Sequence, residues 1–218
     1  MVMTSIVALL LIGGVGLYVS NKETESIKLI QEDILPSIQT LSEARQAYME
    51  LRVGIYTHLV NTDEATIQTV EKRIEDASQN LTKHLGAYEK MVSNEQDKKM
   101  LEADASDLKA YKELMFGKVL PLSRKNDKDG ARNVIVAEGT ALGGKVLKNF
   151  SDHMELNKNI GEEAVKSAIA SASLGKTISL SVILGGVLVV ALLGFFLLTN
   201  VRKSLNQIQS MVSKVEHD

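Results

Sequence analysis

Arg45 and Arg52, seven residues apart with Tyr48 between them, are the residues of this chain whose types and spacing best support chemistry. On a helix, seven residues is nearly two turns, so both guanidinium groups leave one face about 10 Å apart along the axis. A guanidinium fork pairs with a carboxylate through two charge-assisted hydrogen bonds. Tyrosine adds a hydroxyl and a ring face. Such a trio suits non-covalent capture of one small organic anion with two acidic or polar ends.

The surrounding ladder sharpens the point. Ile27, Ile30, Ile34, Ile38, Leu41, Arg45, Tyr48, Arg52, Ile55 and Leu59 advance in threes and fours, the step of one helix face. That ladder places both arginines on the face the helix packs, where an unpaired charge is costly. Three partners are open: an internal acid such as Glu138, water reached along the apolar stems, or a bound anion.

Other reactive residue types do not assemble. His58, His84 and His153 are scattered without a helical i, i+3 or i, i+4 partner, and read as ordinary, partly exposed side chains. Glu162 and Glu163 are neighbours and point apart on a helix. No nucleophile–base pair, phosphate loop or zinc signature occurs, so neither catalysis nor a cofactor is expected. The runs "EKRIED" and "EADASDLK" read as solvated faces, and Tyr56, Tyr88 and Tyr111 as packing residues with a wet tip. The chain has no cysteine, which excludes disulfides and cysteine-ligated metals. A net charge of −2 gives no electrostatic case for nucleic acid.

The elements that must position the arginines are helices. Two uncharged runs, 1–21 and 177–201, are each about the 20 residues that span a bilayer. The first lacks a basic leader, so the natural N-terminus is expected to be longer. Arg202 and Lys203 follow the second run and assign that side to the cytoplasm. The segment 22–176 then lies outside the inner membrane.

Within that segment, periodicity gives four helical stretches. The second carries Val70, Ile74, Ala77, Leu81, Leu85, Tyr88 and Val92. The third carries Leu101, Ala105, Leu108, Tyr111, Met115, Val119 and Leu122. The fourth buries Val134, Ile135, Leu142, Val146, Phe150, Met154 and Ile160. Asp63 or Thr62, the "SNEQ" box at Ser93–Gln96, and Asp127 or Asp129 cap the helix starts. Pro36 is expected to kink the first helix. Short breaks between long helices imply an antiparallel up-down-up-down four-helix bundle flanked by two transmembrane helices. Beyond the second span, Leu205, Ile208, Val212 and Val215 keep heptad rhythm and start a coiled coil over 202–218. An output module is expected to follow.

This layout resembles the N-terminal part of bacterial methyl-accepting chemotaxis proteins with a four-helix-bundle sensor domain. "ILPSIQTLSEARQAYMELR", "NDKDGARNVIVAEGTAL" and "LLTNVRKSLNQIQSMVSKVEHD" carry the likeness, the last resembling the first half of a HAMP linker without its usual proline near Ser204. The resemblance implies a periplasmic ligand-binding domain, a homodimer, and coupling to a cytoplasmic kinase through a C-terminal region. It also implies a carboxylate gripped by first-helix arginines and a threonine near the start of the fourth helix. Those positions are Arg45, Arg52 and Thr140, with Tyr48 assisting. The seven-residue arginine spacing differs from that of aspartate-sensing members, so the ligand's identity does not carry over. Two alternatives share the architecture: the same sensor on a histidine kinase or cyclic-dinucleotide enzyme, and a ligand-free membrane-anchored scaffold.

Overall fold

The computed structural model describes residues 2–215, and every regular element among them is helical. Helix α1 (Val2–Lys28) passes through a π-helical turn, Leu29–Ile34, into α2 (Leu35–Val60). Then come α3 (Glu64–Tyr88), closed by the 3-10 turn Glu89–Met91, and α4 (Glu95–Leu114). A second π turn, Met115–Val119, joins α4 to α5 (Leu120–Arg124). Helix α6 (Lys128–Val134) runs through a third, Ile135–Gly139, into α7 (Thr140–Val215). The breaks are only residues 61–63, 92–94 and 125–127, so successive helices turn straight back on one another.

Each break has a local cause. The Asp63 carboxylate accepts the Thr66 N–H at 2.8 Å, and Asp127 accepts that of Gly130 at 2.9 Å. At the middle break the cap is Asn94, whose side chain accepts from Gln96 and Asp97. Ser93 instead donates its N–H and hydroxyl to Asp97, so the expected serine–glutamine box is replaced by an asparagine cap with an aspartate behind it. Asn126 takes the left-handed conformation that closes the last turn, a position asparagine tolerates.

Both prolines sit just past a π turn. Pro36 has no N–H to offer Glu32, and its ring crowds that carbonyl. The wider turn absorbs the conflict, with the Leu35 N–H reaching back five residues to Ile30. Leu120 does the same to Met115 beside Pro121. The third π turn has no proline. There the Thr140 N–H and hydroxyl both reach the Ile135 carbonyl.

The chain divides into two compact units. Residues 27–164 form the bundle. In α2 its core runs Ser37, Leu41, Ala44, Tyr48, Leu51, Ile55, His58, a strict alternation of fours and threes. Val70, Ile74, Ala77, Leu81 and Tyr88 on α3 and Val146 and Phe150 on α7 complete much of the core. The second unit combines the described residues up to Ser26 with those from Val165 onward. The helical stretch ending at Gln207 contains a segment long and apolar enough to cross a membrane, none of it buried. Met1 and the side chains of the heptad positions Ile208, Val212 and Val215 lie outside the described residues.

Candidate functional site

Arg52 projects from the edge of α2 into a corner made by three tyrosines. Its guanidinium carbon lies 5.8 Å from the centre of the Tyr48 ring and 6.0 Å from that of Tyr56, a cation–π arrangement with both. Tyr48 meets Tyr111 edge-on, with ring centres 5.1 Å apart. The Tyr48 hydroxyl donates to the Gly143 carbonyl at 3.1 Å. Gly143 is required for this approach: a Cβ there would lie 3.0 Å from the Tyr48 hydroxyl and 3.3 Å from the Tyr111 ring.

The electrostatics of the corner are unbalanced. Burial opposes the Arg52 charge, yet the Tyr56, Tyr48 and Tyr111 hydroxyls around it hold its pKa above the ordinary arginine value. Burial also pushes the Tyr111 hydroxyl up to about 12, against the pull of Arg52, and raises Tyr48 further still. All three groups therefore keep their protons at neutral pH. Among the described residues no carboxylate pairs with Arg52, and its Nε is buried without a hydrogen-bond partner. The half-buried cation is thus ringed by neutral hydroxyls, with no negative charge paired to it among the described residues.

The remaining expected residues are placed differently. Arg45 is exposed, because the core seam passes through Ala44, one residue earlier. Arg52 likewise stands one residue past the seam position Leu51, on its margin. The ladder that put both arginines on the buried face is corrected by that single step. Thr140 is exposed, one turn before Gly143 on α7, and its hydroxyl donates to Ile135 at 3.1 Å. Glu138 is not an internal counter-ion for either arginine; it is exposed and pairs with Lys118 at 3.1 Å.

The structure also contains polar constellations that periodicity did not reveal. His153, fully buried, places Nε2 2.6 Å from Asp97 and Nδ1 2.5 Å from Asp104, both carboxylates also buried. Tyr88 donates to Asp97 at 2.7 Å, and Asn157 donates to the Tyr88 hydroxyl at 2.7 Å. The spacing of Asp97, Asp104 and Tyr111, two successive heptads, was the available signal. His58 is fully buried as well, within reach of Ser123 (2.8 Å) and Glu71 (3.2 Å). This resembles a nucleophile–base–acid series. However, Ser123 is itself buried and its oxygen already accepts from Lys128 at 2.9 Å, so the group works as a clamp beside the 125–127 turn. Only His84 is partly exposed as expected, paired with Glu43 at 3.2 Å.

Two grooves are apolar. One of about 550 Å³ between α3 and α4 has Leu85, Leu101, Ala105 and Leu108 on its floor and Lys112 on its rim. One of about 750 Å³ in the second unit is lined by aliphatic residues such as Leu9, Ile12, Val182 and Val187. Neither includes Arg45, Tyr48, Arg52 or Thr140, and the second offers nothing to an anion.

Comparison with known proteins agrees with this architecture. Residues 1–172 match the family described as a four helix bundle sensory module for signal transduction. The chain is 19% identical over 213 residues to the Bacillus subtilis protein named "putative sensory transducer protein YvaQ", covering 98% of this chain and 37% of that protein. It is 28% identical over 149 residues to a "putative sensory transducer protein" of Acetivibrio thermocellus, covering 68% of this chain and 26% of the relative. The chain thus spans about a third of the length of these curated relatives. A bundle of four antiparallel helices with this match across most of its length has one assignment: the chain belongs to the four-helix-bundle sensory modules of signal transduction.

Proposed function

We propose that this chain is the sensor region of a transmembrane chemoreceptor, and that its bundle binds a small organic anion at Arg52 outside the bacterial inner membrane. The observation that carries the reading is the buried Arg52 Nε without an acceptor, in a corner that supplies hydroxyls and no acid. Tyr48 shapes the corner, Arg45 two turns back on α2 is a further donor for an extended ligand, and Thr140 joins only by releasing its hydroxyl from the Ile135 carbonyl. Runs 1–21 and 177–201 are the two spans, and 202–218 begins a HAMP-like linker to a cytoplasmic output that controls chemotaxis through a coupled kinase. Partners of that kind fit relatives that are far longer than this chain.

The corner opens onto the outer face of α2, which supports a homodimer. Met49, Val53, Tyr56 and Val60 are exposed at 4-3-4 spacing, Val60 to 81% and Val53 to 49%. A second heptad stripe on a helix whose first is already buried fits a copy of itself about a two-fold axis. A bound anion then biases one of two arrangements of α2 and α7 across that interface. Such coupling amounts to about 1–3 kcal/mol and is reciprocal between ligand and output.

Two measurements on the full chain in detergent test the reading. A thermal screen against carboxylates, amino acids and aromatic acids should find a stabilising acid, worth about 2.7 kcal/mol at a hundred times its Kd. Because the chain has no cysteine, Val53→Cys should oxidise to a covalent dimer while the exposed Val136→Cys does not. No stabilising acid sinks the ligand; equal cross-linking at both positions sinks the interface.

A further inference from the structure

We infer that the buried Asp97–His153–Asp104 cluster is a proton-binding site that ties α4 to α7 when occupied, making the bundle responsive to external pH as well as to an anion. The inference begins with hydrogen-bond parity. Each ring nitrogen of His153 faces a carboxylate oxygen, Asp97 at 2.6 Å and Asp104 at 2.5 Å. A carboxylate only accepts, so both contacts need a proton between the heavy atoms. The neutral ring supplies one; the second is the bound proton. If it leaves to solvent, one nitrogen lone pair is pressed against one oxygen lone pair with no water to intervene, since all three side chains are buried.

The surroundings leave little room for another arrangement. From α3, Tyr88 donates to the same Asp97 oxygen that His153 contacts, and its ring packs edge-on against the imidazole at 4.8 Å. From the loop before α4, Ser93 donates twice to the other Asp97 oxygen. On α4, Asp107 adds a negative charge near Asp104, held by Lys145 and Asn149 of α7 at 2.7 and 2.6 Å. From the first π turn, Asp33 faces Asp97. Asn157 lies one turn beyond His153. Carboxylates therefore outnumber cations around the ring, and Asp104 retains one oxygen with no partner.

The sign follows from these contacts. Burial works against the charged His153 ring, and hydrogen bonds to Asp104 and Asp97 outweigh it, so its pKa lies above 6.5. Burial likewise raises Asp104. Groups held up in the folded state stabilise it below their unfolded values and lose that contribution as pH rises through the folded ones. Asp97 is opposed by burial, but its His153 and Ser93 contacts pull it down, so it contributes above its unfolded value and is lost only in acid. The tie should loosen with alkalinisation. Its loss acts on α7, the helix that continues to Val215.

The test uses the full chain in lipid nanodiscs with isotope-labelled histidine, scanned by NMR and thermal unfolding over about pH 5–10. With four histidines, the His153 signal is assigned by its absence in His153→Gln. The expected result is a His153 titration centred above 6.5, with an unfolding midpoint that falls by at least about 3 °C as pH rises through it. Asp104→Asn, which keeps an acceptor but removes a charge, should lower the titration midpoint by at least about one pH unit. The one signal it shifts identifies His153 even if His153→Gln does not fold. A ring that holds one protonation state throughout, or titrates without moving the unfolding midpoint, overturns the inference. Arg52→Ala should leave the titration unchanged, so failure of the anion site and failure of the proton site are separable.

Discussion

Two polar regions of the bundle handle charge in opposite ways. At the His153 cluster the protein brings its own acids to a buried base and meets its donors from three helices, leaving one acceptor oxygen each on Asp104 and Asn157 without a partner. At the Arg52 corner it brings tyrosines and a glycine to a cation and leaves the counter-charge out. The first arrangement holds helices together. The second steadies its cation with ring faces and hydroxyls alone and leaves the Nε without an acceptor, the feature on which the proposed anion site rests.

That contrast predicts a graded set of variants, measured as urea unfolding of the full chain. Asp97→Ala should be the most damaging, at about 3–5 kcal/mol, because it strands a buried cation and its donors. Gly143→Val comes next at about 1–3 kcal/mol, since branched carbon must displace the Tyr48 hydroxyl and the Tyr111 ring. Its neighbour sharpens the point: a Cβ on Gly144 meets nothing within 4 Å, so Gly144→Ala should stabilise α7 by about 0.5–1 kcal/mol. Arg52→Ala should change stability by no more than about 0.5 kcal/mol, despite removing a half-buried charge, because no partner acid is stranded. If Arg52→Ala and Asp97→Ala cost alike, the two regions are not different in kind.

The helices and most of their ends were legible because periodicity and capping are local, the Ser93 box giving way to an Asn94 cap. Asp63 and Asp127 cap as their positions require, and the ladder through Leu41, Tyr48 and Ile55 does mark a buried face. The phase between those anchors was not legible. From Leu41 to Tyr48 the chain can pass through Ala44 or Arg45, and both steps obey helical spacing. The protein takes the small apolar residue, and the arginines move to the margin.

Burial of polar residues was the larger blind spot. Asp104 and Asp107 sit in "EADASDLK", which has the composition of a solvated face, yet both are buried because His153, Lys145 and Asn149 answer them from a helix about forty residues away. Pairing across that distance has no local trace. Likewise, Tyr111 joins Tyr48 and Tyr56 around Arg52 only after α4 folds against α2. The kink expected at Pro36 is a π turn, and a second π turn precedes Pro121; the third, capped by Thr140, has no proline to mark it.

The most direct test of the central claim is calorimetric titration of the intact chain, Arg52→Ala and Arg45→Ala with the acid that most raises the unfolding temperature. A guest completing the tyrosine corner predicts at least a tenfold loss of affinity in Arg52→Ala, which is about 1.4 kcal/mol, and a smaller loss in Arg45→Ala. Unchanged affinity in Arg52→Ala would contradict it.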